Sequence, residues 1–166
     1  MNLIKYLSRF PFMSDVRKLE WHPHFFLMRI RVLELSPDWS KVRIQLPLNS
    51  LNRNPGGGMF GGSIAALADP IAALACVARY REYNIWTREL NLDFRHAAMG
   101  HLQLRFEFPE ETHLQILDDL KTSGRSSPIF TYGLYSANDI MNVRVICKVA
   151  IRPANYLGDN AKKAHL

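Results

Sequence analysis

Residues 61–81 read GGSIAALADPIAALACVARYR, and this stretch decides the fold. Its larger apolar side chains recur at the period of an α-helix and form one stripe, made of Ile64, Leu67, Ala68, Ile71, Leu74, Ala75 and Ala78. The other side is no more polar, because it carries Ala65, Ala66, Ala72, Ala73, Cys76 and Val77. A helix that is apolar all round is expected to be buried on all sides. It therefore needs a sheet that wraps it.

The strands of that sheet are predicted on both sides of the helix. Polar and apolar residues alternate over 29–35 and 41–46 around the turn-rich SPDWS, which predicts a hairpin. Beyond the helix the sequence predicts strands at 85–94, 102–108, 128–135 and 141–152, the last two paired as a hairpin, and a small helix at 111–122. The fold class is therefore α+β, with about five or six antiparallel strands wrapped round one long central helix.

Length and composition predict a single domain over residues 1–166. The chain has 166 residues, of which 48% are hydrophobic, so it can bury a core without metals or disulfides. Residues 1–22 are expected to form an N-terminal helical extension, with an amphipathic helix at 2–10, and residues 153–166 a flexible tail. Cys76 and Cys147 have apolar neighbours, as buried thiols of a reducing compartment do, which predicts no disulfide and a cytoplasmic location.

Charge and residue spacing argue against several kinds of partner. The net charge of +6 favours anionic ligands, but the basic residues form no run, which argues against nucleic acid. The longest apolar run, Ile71–Ala78, is far shorter than the roughly 20 residues of a membrane span, so no span is predicted. The histidines and cysteines lack metal-ligand spacing, which predicts no metal site. His96 is expected at the surface or an interface, and Trp86 in the core.

Asp69 is the first candidate for a catalytic residue, because it is the one charged side chain that interrupts the apolar helix. Burial disfavours the charged form of a carboxyl group, so such a residue is normally paired, hydrogen-bonded or used in catalysis. The sequence Asp69-Pro70 also fits a helix start, with Asp as N-cap and Pro at the first helical position. Capping and catalysis are equally compatible with these residues.

Glycines precede the helix at 56–58 and at Gly61-Gly62. They let polar ligand atoms approach the backbone, and free N–H groups at a helix start favour an oxyanion or a phosphate. The spacing fits neither a dinucleotide-binding fingerprint nor a P-loop, and glycines of a flexible loop are the alternative.

In this order and spacing, Asn54, Gly61-Gly62 and Asp69 resemble the signature of hotdog-fold acyl-CoA thioesterases of the phenylacetyl-CoA type. The resemblance covers most of the chain, since the strand order and the long central helix fit as well. The stretches 60–63 (FGGS), 69–70 (DP) and 85–86 (IW) resemble more closely a hotdog branch of unknown function.

The resemblance implies an acyl-CoA thioester hydrolase that works as a homo-oligomer, dimer or tetramer, with its site at a subunit interface. Asp69 would be the general base or nucleophile, reaching across the interface, and Asn54 would orient the attacking water. The Gly61 N–H would hold the thioester oxygen, and Thr87 would be a helper hydroxyl. No cofactor is implied, because the CoA moiety belongs to the small-molecule acyl thioester itself.

Further substrate contacts are expected at Phe60, Gly62 and Ser63 beside the helix start. Arg88, Arg95 and Arg125 are candidates for the CoA phosphates, with solvated surface arginines as the alternative. Phe60 stands where many members of the resembled family have His, which keeps open a second interpretation, a non-catalytic module that binds an acyl-CoA or fatty acyl group. A dehydratase on this fold usually needs a His in the helix region, and none lies between Gly61 and Arg81.

Overall fold

The computed structural model describes residues 13–156. Its elements, in chain order, are α1 (Asp15–Glu20), α2 (Pro23–Met28), β1 (Arg31–Leu35), β2 (Lys41–Leu46), α3 (Gly61–Arg79), β3 (Tyr83–Phe94), β4 (Leu102–Glu107), α4 (Glu110–Ser123), β5 (Ile129–Tyr135) and β6 (Met141–Pro153). The helix expected at 2–10 and most of the expected tail lie outside the described residues. The α1 and α2 helices were not predicted individually.

The strands form one six-stranded sheet in the order β1-β2-β4-β5-β6-β3, and every neighbouring pair is antiparallel. The predicted fold class and both predicted hairpins are confirmed. Although β3 and β4 follow each other in the chain, they are not neighbours, because β3 pairs with β6 and β4 lies between β2 and β5. This topology puts β3 at one edge of the sheet.

Helix α3 packs against the sheet over β3, β6 and β4. Its larger apolar stripe faces that sheet, and Leu67, Ile71 and Ala75 are completely buried. Burying one Leu or Ile side chain stabilises the fold by about 1.5–3 kcal/mol, so the stripe fixes the helix on the sheet.

The expectation that α3 is buried on all sides is wrong for the single chain. The face turned away from the sheet leaves Gly62 and Asp69 exposed and Ala66 and Ala73 half-buried. The sheet covers one side of the helix, and no described element of the same chain covers the other. By length and composition alone this 19-residue helix could also cross a membrane, although its buried residues belong to the core of the domain.

Of the two alternatives for Asp69-Pro70, a helix start is excluded. Helix α3 runs without interruption from Gly61 to Arg79 with Pro70 inside it, and its N-cap is Phe60. Pro70 has no N–H to donate to the carbonyl of Ala66, so the turn that carries Asp69 lacks one helical hydrogen bond. The stability of α3 comes from its packing rather than from this turn.

The two edges of the sheet differ. At β1, helix α1 packs against the strand, and the Glu20 carboxylate accepts a hydrogen bond from the Val32 N–H at 2.8 Å. The 12-residue β3 has β6 on one side, and no described strand pairs with its other side. A long unpaired edge is a template for pairing with another chain.

Trp86 lies on β3 but not in the core, contrary to expectation. Its side chain is 41% exposed and stacks on Tyr156, with ring centroids 6.2 Å apart. Successive strand residues point to opposite faces, and Ile85, not Trp86, points to the core.

Candidate active site

A cavity of about 480 Å³ lies at the start of α3. One wall is the glycine-rich loop from Asn54 to Met59, and another is the first turn of the helix, with Gly61 and Ile64. The segment 94–99, which follows the edge strand β3, closes the third side. The cavity therefore brings together three parts of the chain that are distant in sequence.

The helix start leaves backbone donors without a helical partner beside this cavity. Ser63 N and Ile64 N both donate to the Phe60 carbonyl, at 3.0 and 3.4 Å, and these are the first bonds of α3. The N–H groups of Gly61 and Gly62 precede them and so have no partner in the helix. Such N–H groups carry the positive end of the helix dipole, which stabilises a developing oxyanion. Of the two residues, Gly61 lines the cavity.

Asn54 lines the same cavity, and its amide also holds the loop. Its Oδ1 accepts from Gly58 N at 3.1 Å, and its Nδ2 donates to the Met59 carbonyl at 3.2 Å. One N–H and one lone pair of the amide are left for a water molecule. Gly57 has a φ of +83°, a conformation that favours glycine, and a Cβ at Gly58 would lie 3.3 Å from the Ala98 carbonyl, which is a tight contact.

Asp69 does not line this cavity. It is eight residues beyond Gly61 in the same helix, which places it about 12 Å along the helix axis. Its side chain is exposed, on the face of α3 that no described element of the chain covers. Thr87 lies beside it on β3, and the Thr87 hydroxyl donates to the Asp69 carbonyl at 2.8 Å.

The four predicted catalytic residues thus form two groups within one chain. Asn54 and Gly61 belong to the cavity, and Asp69 and Thr87 belong to the middle of α3 at the unpaired edge of the sheet. The hydroxyl of Thr87 is directed at the helix backbone.

Two buried groups lie under Asp69. Burial raises the pKa of Tyr132 well above its usual value, and the charge of Asp69 adds to that rise. Burial also raises the pKa of Cys147, although hydrogen bonding with Tyr132 and Thr87 opposes the rise. Both groups are therefore neutral at physiological pH.

The predicted contacts with the substrate are spread more widely. Phe60 is exposed, and its ring lies over Gly62, where a Cβ would come 2.3 Å from the Phe60 Cε1. Ser63 is half-buried in the first turn of α3.

Of the three arginines, only Arg95 lines the cavity, with its Nε donating to Asp93 at 2.9 Å. Arg88 is on β3, 3.5 Å from the Glu89 carboxylate. Arg125 precedes Ser126, which pairs with the far end of β6, whereas the Arg95 backbone bonds to Asn142 near its beginning. Arg125 therefore lies at the opposite end of the sheet from the cavity.

Apart from Arg95, sequence reasoning missed the cavity wall formed by residues 94–99. Phe94, His96 and Met99 line the cavity, and Ala98 closes it by accepting a hydrogen bond from Met59 N at 2.8 Å. His96 is exposed, as expected, but it belongs to the candidate site. One feature of the sequence could have indicated this wall. These residues directly follow a long strand, where the chain leaves the sheet.

Among residues 13–156, no group of three or more His, Cys, Asp or Glu side chains could hold a metal ion. The cavity offers backbone donors, one amide, one imidazole and one guanidinium. These groups suit a substrate with a polarised carbonyl and an anionic part.

Comparison with known families identifies the family of this chain. A family model described as a domain of unknown function, DUF4442, matches residues 17–146. The chain belongs to the DUF4442 family. The match runs from α1 into β6 and includes the whole of the candidate site. No curated protein matches this DUF4442 chain.

Solved structures identify the fold of this DUF4442 member as the hotdog fold. A protein of unknown function from Pseudomonas aeruginosa superposes with a TM-score of 0.73 at 18% identity, over 83% of this chain and 93% of the other. A thioesterase from Haemophilus influenzae gives 0.67 at 12% identity, over 88% and 96%. A mutant form of a thioesterase enzyme from Staphylococcus aureus gives 0.59 at 17% identity, over 76% and 95%. These likenesses establish the fold.

Proposed function

We propose that this protein hydrolyses acyl thioesters, with each active site formed by two copies of the chain. The observation that carries the proposal is the separation of the site residues. The donor at Gly61 and the carboxylate of Asp69 are about 12 Å apart along one helix, too far to act on the same carbonyl. Both groups lie where a second copy can complete the site.

A second copy would cover one surface in this proposal. It consists of the unpaired edge of β3 and the half-exposed face of α3, with Ala66, Asp69 and Ala73. If β3 pairs antiparallel with its own copy across a two-fold axis, the second helix runs in the reverse direction. The Asp69 turn of one protomer then faces the Gly61 end of its partner.

The chemistry follows from these groups. The Asp69 carboxylate takes a proton from a water molecule as the water oxygen attacks the thioester carbonyl carbon. Charge develops on the carbonyl oxygen, where the Gly61 N–H stabilises it, and Asn54 orients the water. The C–S bond then breaks, and the sulfur leaves as a thiol with the proton from Asp69. The products are a carboxylic acid and a thiol.

The cavity and the charge favour an acyl-CoA as the thioester. Phe94, Met99 and Ile64 give the cavity apolar walls for an acyl group, and Arg95 at the same cavity suits a phosphate. The net charge of +6 attracts an anionic carrier. No cofactor beyond the CoA of the substrate is required, and two buried free thiols fit the proposed cytoplasmic location.

The first test is thiol release from a panel of acyl-CoAs with short, medium, long and aromatic acyl groups. Release that depends on Asp69 would support the hydrolase and name its acyl class. Absence of release from every member, with the protein folded, would contradict it.

Mixed dimers test the shared site directly. Asp69→Asn and Gly61→Pro chains are each expected to be inactive, but a mixed dimer has one site with both residues intact. Refolding the two variants together at equal amounts should restore about a quarter of the wild-type rate, because half the dimers are mixed and each has one intact site. If both residues acted within one chain, mixing would restore nothing.

The proposal also predicts the oligomeric state. Light scattering of the purified protein should show a dimer or tetramer with no stable monomer, because the β3 edge and the α3 face need cover. An active monomer would contradict the shared site.

A binding module is the second candidate, and one observation favours it. The oxygen and the nitrogen of the Asn54 side-chain amide both bond to the loop, so this residue has a structural role even if it orients no water molecule. In that case acyl-CoA would raise the melting temperature of the protein without thiol release.

A further inference from the structure

Two hydroxyl groups of the sheet bond to consecutive carbonyls of α3. The Tyr132 hydroxyl donates to the Ala68 carbonyl at 2.7 Å, and the Thr87 hydroxyl donates to the Asp69 carbonyl at 2.8 Å. Tyr132 is on β5 and Thr87 is on β3, the two strands that flank β6. One turn of the helix is thus tied to the sheet at two adjacent peptide units from two different strands.

These bonds lie in the part of the helix that most needs them. Pro70 follows Asp69 directly and donates no hydrogen bond, so the ladder is interrupted at this turn. A carbonyl oxygen has two lone pairs and can accept from a side chain as well as from the helix. The two hydroxyls therefore fix a turn that proline would otherwise leave free to bend.

The surroundings of the Tyr132 bond are apolar. Tyr132 is 5% exposed, Ala68 is fully buried, and Cys147 of β6 is fully buried close to both hydroxyls. A polar group in such a place needs a partner, because water does not reach it. The Tyr132 hydroxyl donates to the Ala68 carbonyl, and this bond fixes its direction.

We propose that Tyr132 and Thr87 are positioning residues that hold the Asp69 turn of α3, and with it the direction of the Asp69 carboxylate. The inference rests on the proposed function, in which that carboxylate serves the cavity of the partner. Neither hydroxyl takes part in the chemistry. Because the Asp69 side chain is exposed and makes no hydrogen bond within the described residues, its direction depends on the backbone that carries it.

The test measures kcat and KM separately. Tyr132→Phe and Thr87→Val remove one hydroxyl each and keep the shape of the side chain. Each is expected to lower kcat by about 10-fold, since misplaced catalytic groups lose rate, while KM changes less than about twofold. Thr87→Ser keeps the hydroxyl and should restore kcat to near the wild-type value.

Matched controls separate positioning from general damage. Tyr135→Phe and Thr131→Val make the same changes on β5, where Thr131 is exposed and the Tyr135 ring lies under Arg105. They should leave kcat unchanged. A wild-type kcat in both Tyr132→Phe and Thr87→Val, with Asp69→Asn inactive, would overturn the inference while leaving the proposed function in place.

Hydrogen exchange provides a readout that does not need activity. The amides of residues 71–74, which follow Pro70, should exchange faster in Tyr132→Phe and Thr87→Val than in the wild type, with the strands unchanged. Equal exchange in this turn would overturn the inference even if the protein hydrolyses no thioester. If Tyr132→Phe fails to fold, Thr87→Val and Thr87→Ser decide the question through the same two readouts.

Discussion

Replacing Asp69 with Asn is expected to lower thioester hydrolysis by about 10²- to 10⁴-fold, the usual contribution of a general base. The amide has nearly the same shape as the carboxylate but cannot accept the proton of the attacking water. The residue is exposed in the single chain and makes no hydrogen bond or ion pair through its side chain within the described residues. Stability should therefore change by no more than about 0.5 kcal/mol.

Thermal unfolding and thiol release together check this prediction. Asp118→Asn is the matched control, because Asp118 is also exposed on a helix, α4, away from the cavity. Asp118→Asn should keep full activity. Full activity of a folded Asp69→Asn would exclude Asp69 as the base.

Replacing Gly61 with Pro is expected to lower kcat by about 10²- to 10³-fold, because it removes one oxyanion donor. Gly61 is the first helical residue, a position where Pro is favoured because the N–H has no partner in the helix. The preceding Phe60 has a ψ of 125°, which is the extended conformation that a residue before Pro prefers. The substitution therefore removes the donor and keeps the helix start.

Gly61→Ala is the control, since it keeps the N–H. Its Cβ would meet the Phe94 Cζ at 3.4 Å, and the Phe94 ring is 53% exposed and can move aside. Gly61→Ala should stay within a few-fold of the wild-type kcat, and circular dichroism should show the same helix content in both variants. Equal loss of kcat in Gly61→Ala and Gly61→Pro would mean that space at the helix start, rather than the N–H, is what matters.

The local patterns in the sequence were sufficient for most of the fold. Alternation over 29–35 and 41–46 predicted the first hairpin, and the apolar periodicity beyond Gly61 predicted the central helix to within two residues of its end. One local pattern left its interpretation open, and another misled. The Asp69-Pro70 pair favours a helix start, but packing of the turns on both sides keeps α3 continuous. Trp86 favours a core position by composition, but the alternation of β3 turns it outward.

The sequence by itself determined most of the elements, because periodicity and turn chemistry are properties of neighbouring residues, and its resemblance to the hotdog-fold thioesterases implied the roles of Asn54, Gly61 and Thr87. It could not separate a helix that its own sheet covers on all sides from one that the sheet covers on one side only, since both are apolar all round. Only the tertiary structure decided that Asp69 and Gly61 are apart within one chain, that residues 94–99 wall the cavity, and that the Tyr132 hydroxyl bonds to the Ala68 carbonyl. These are relations between segments far apart in the chain, and they follow from the order of the strands.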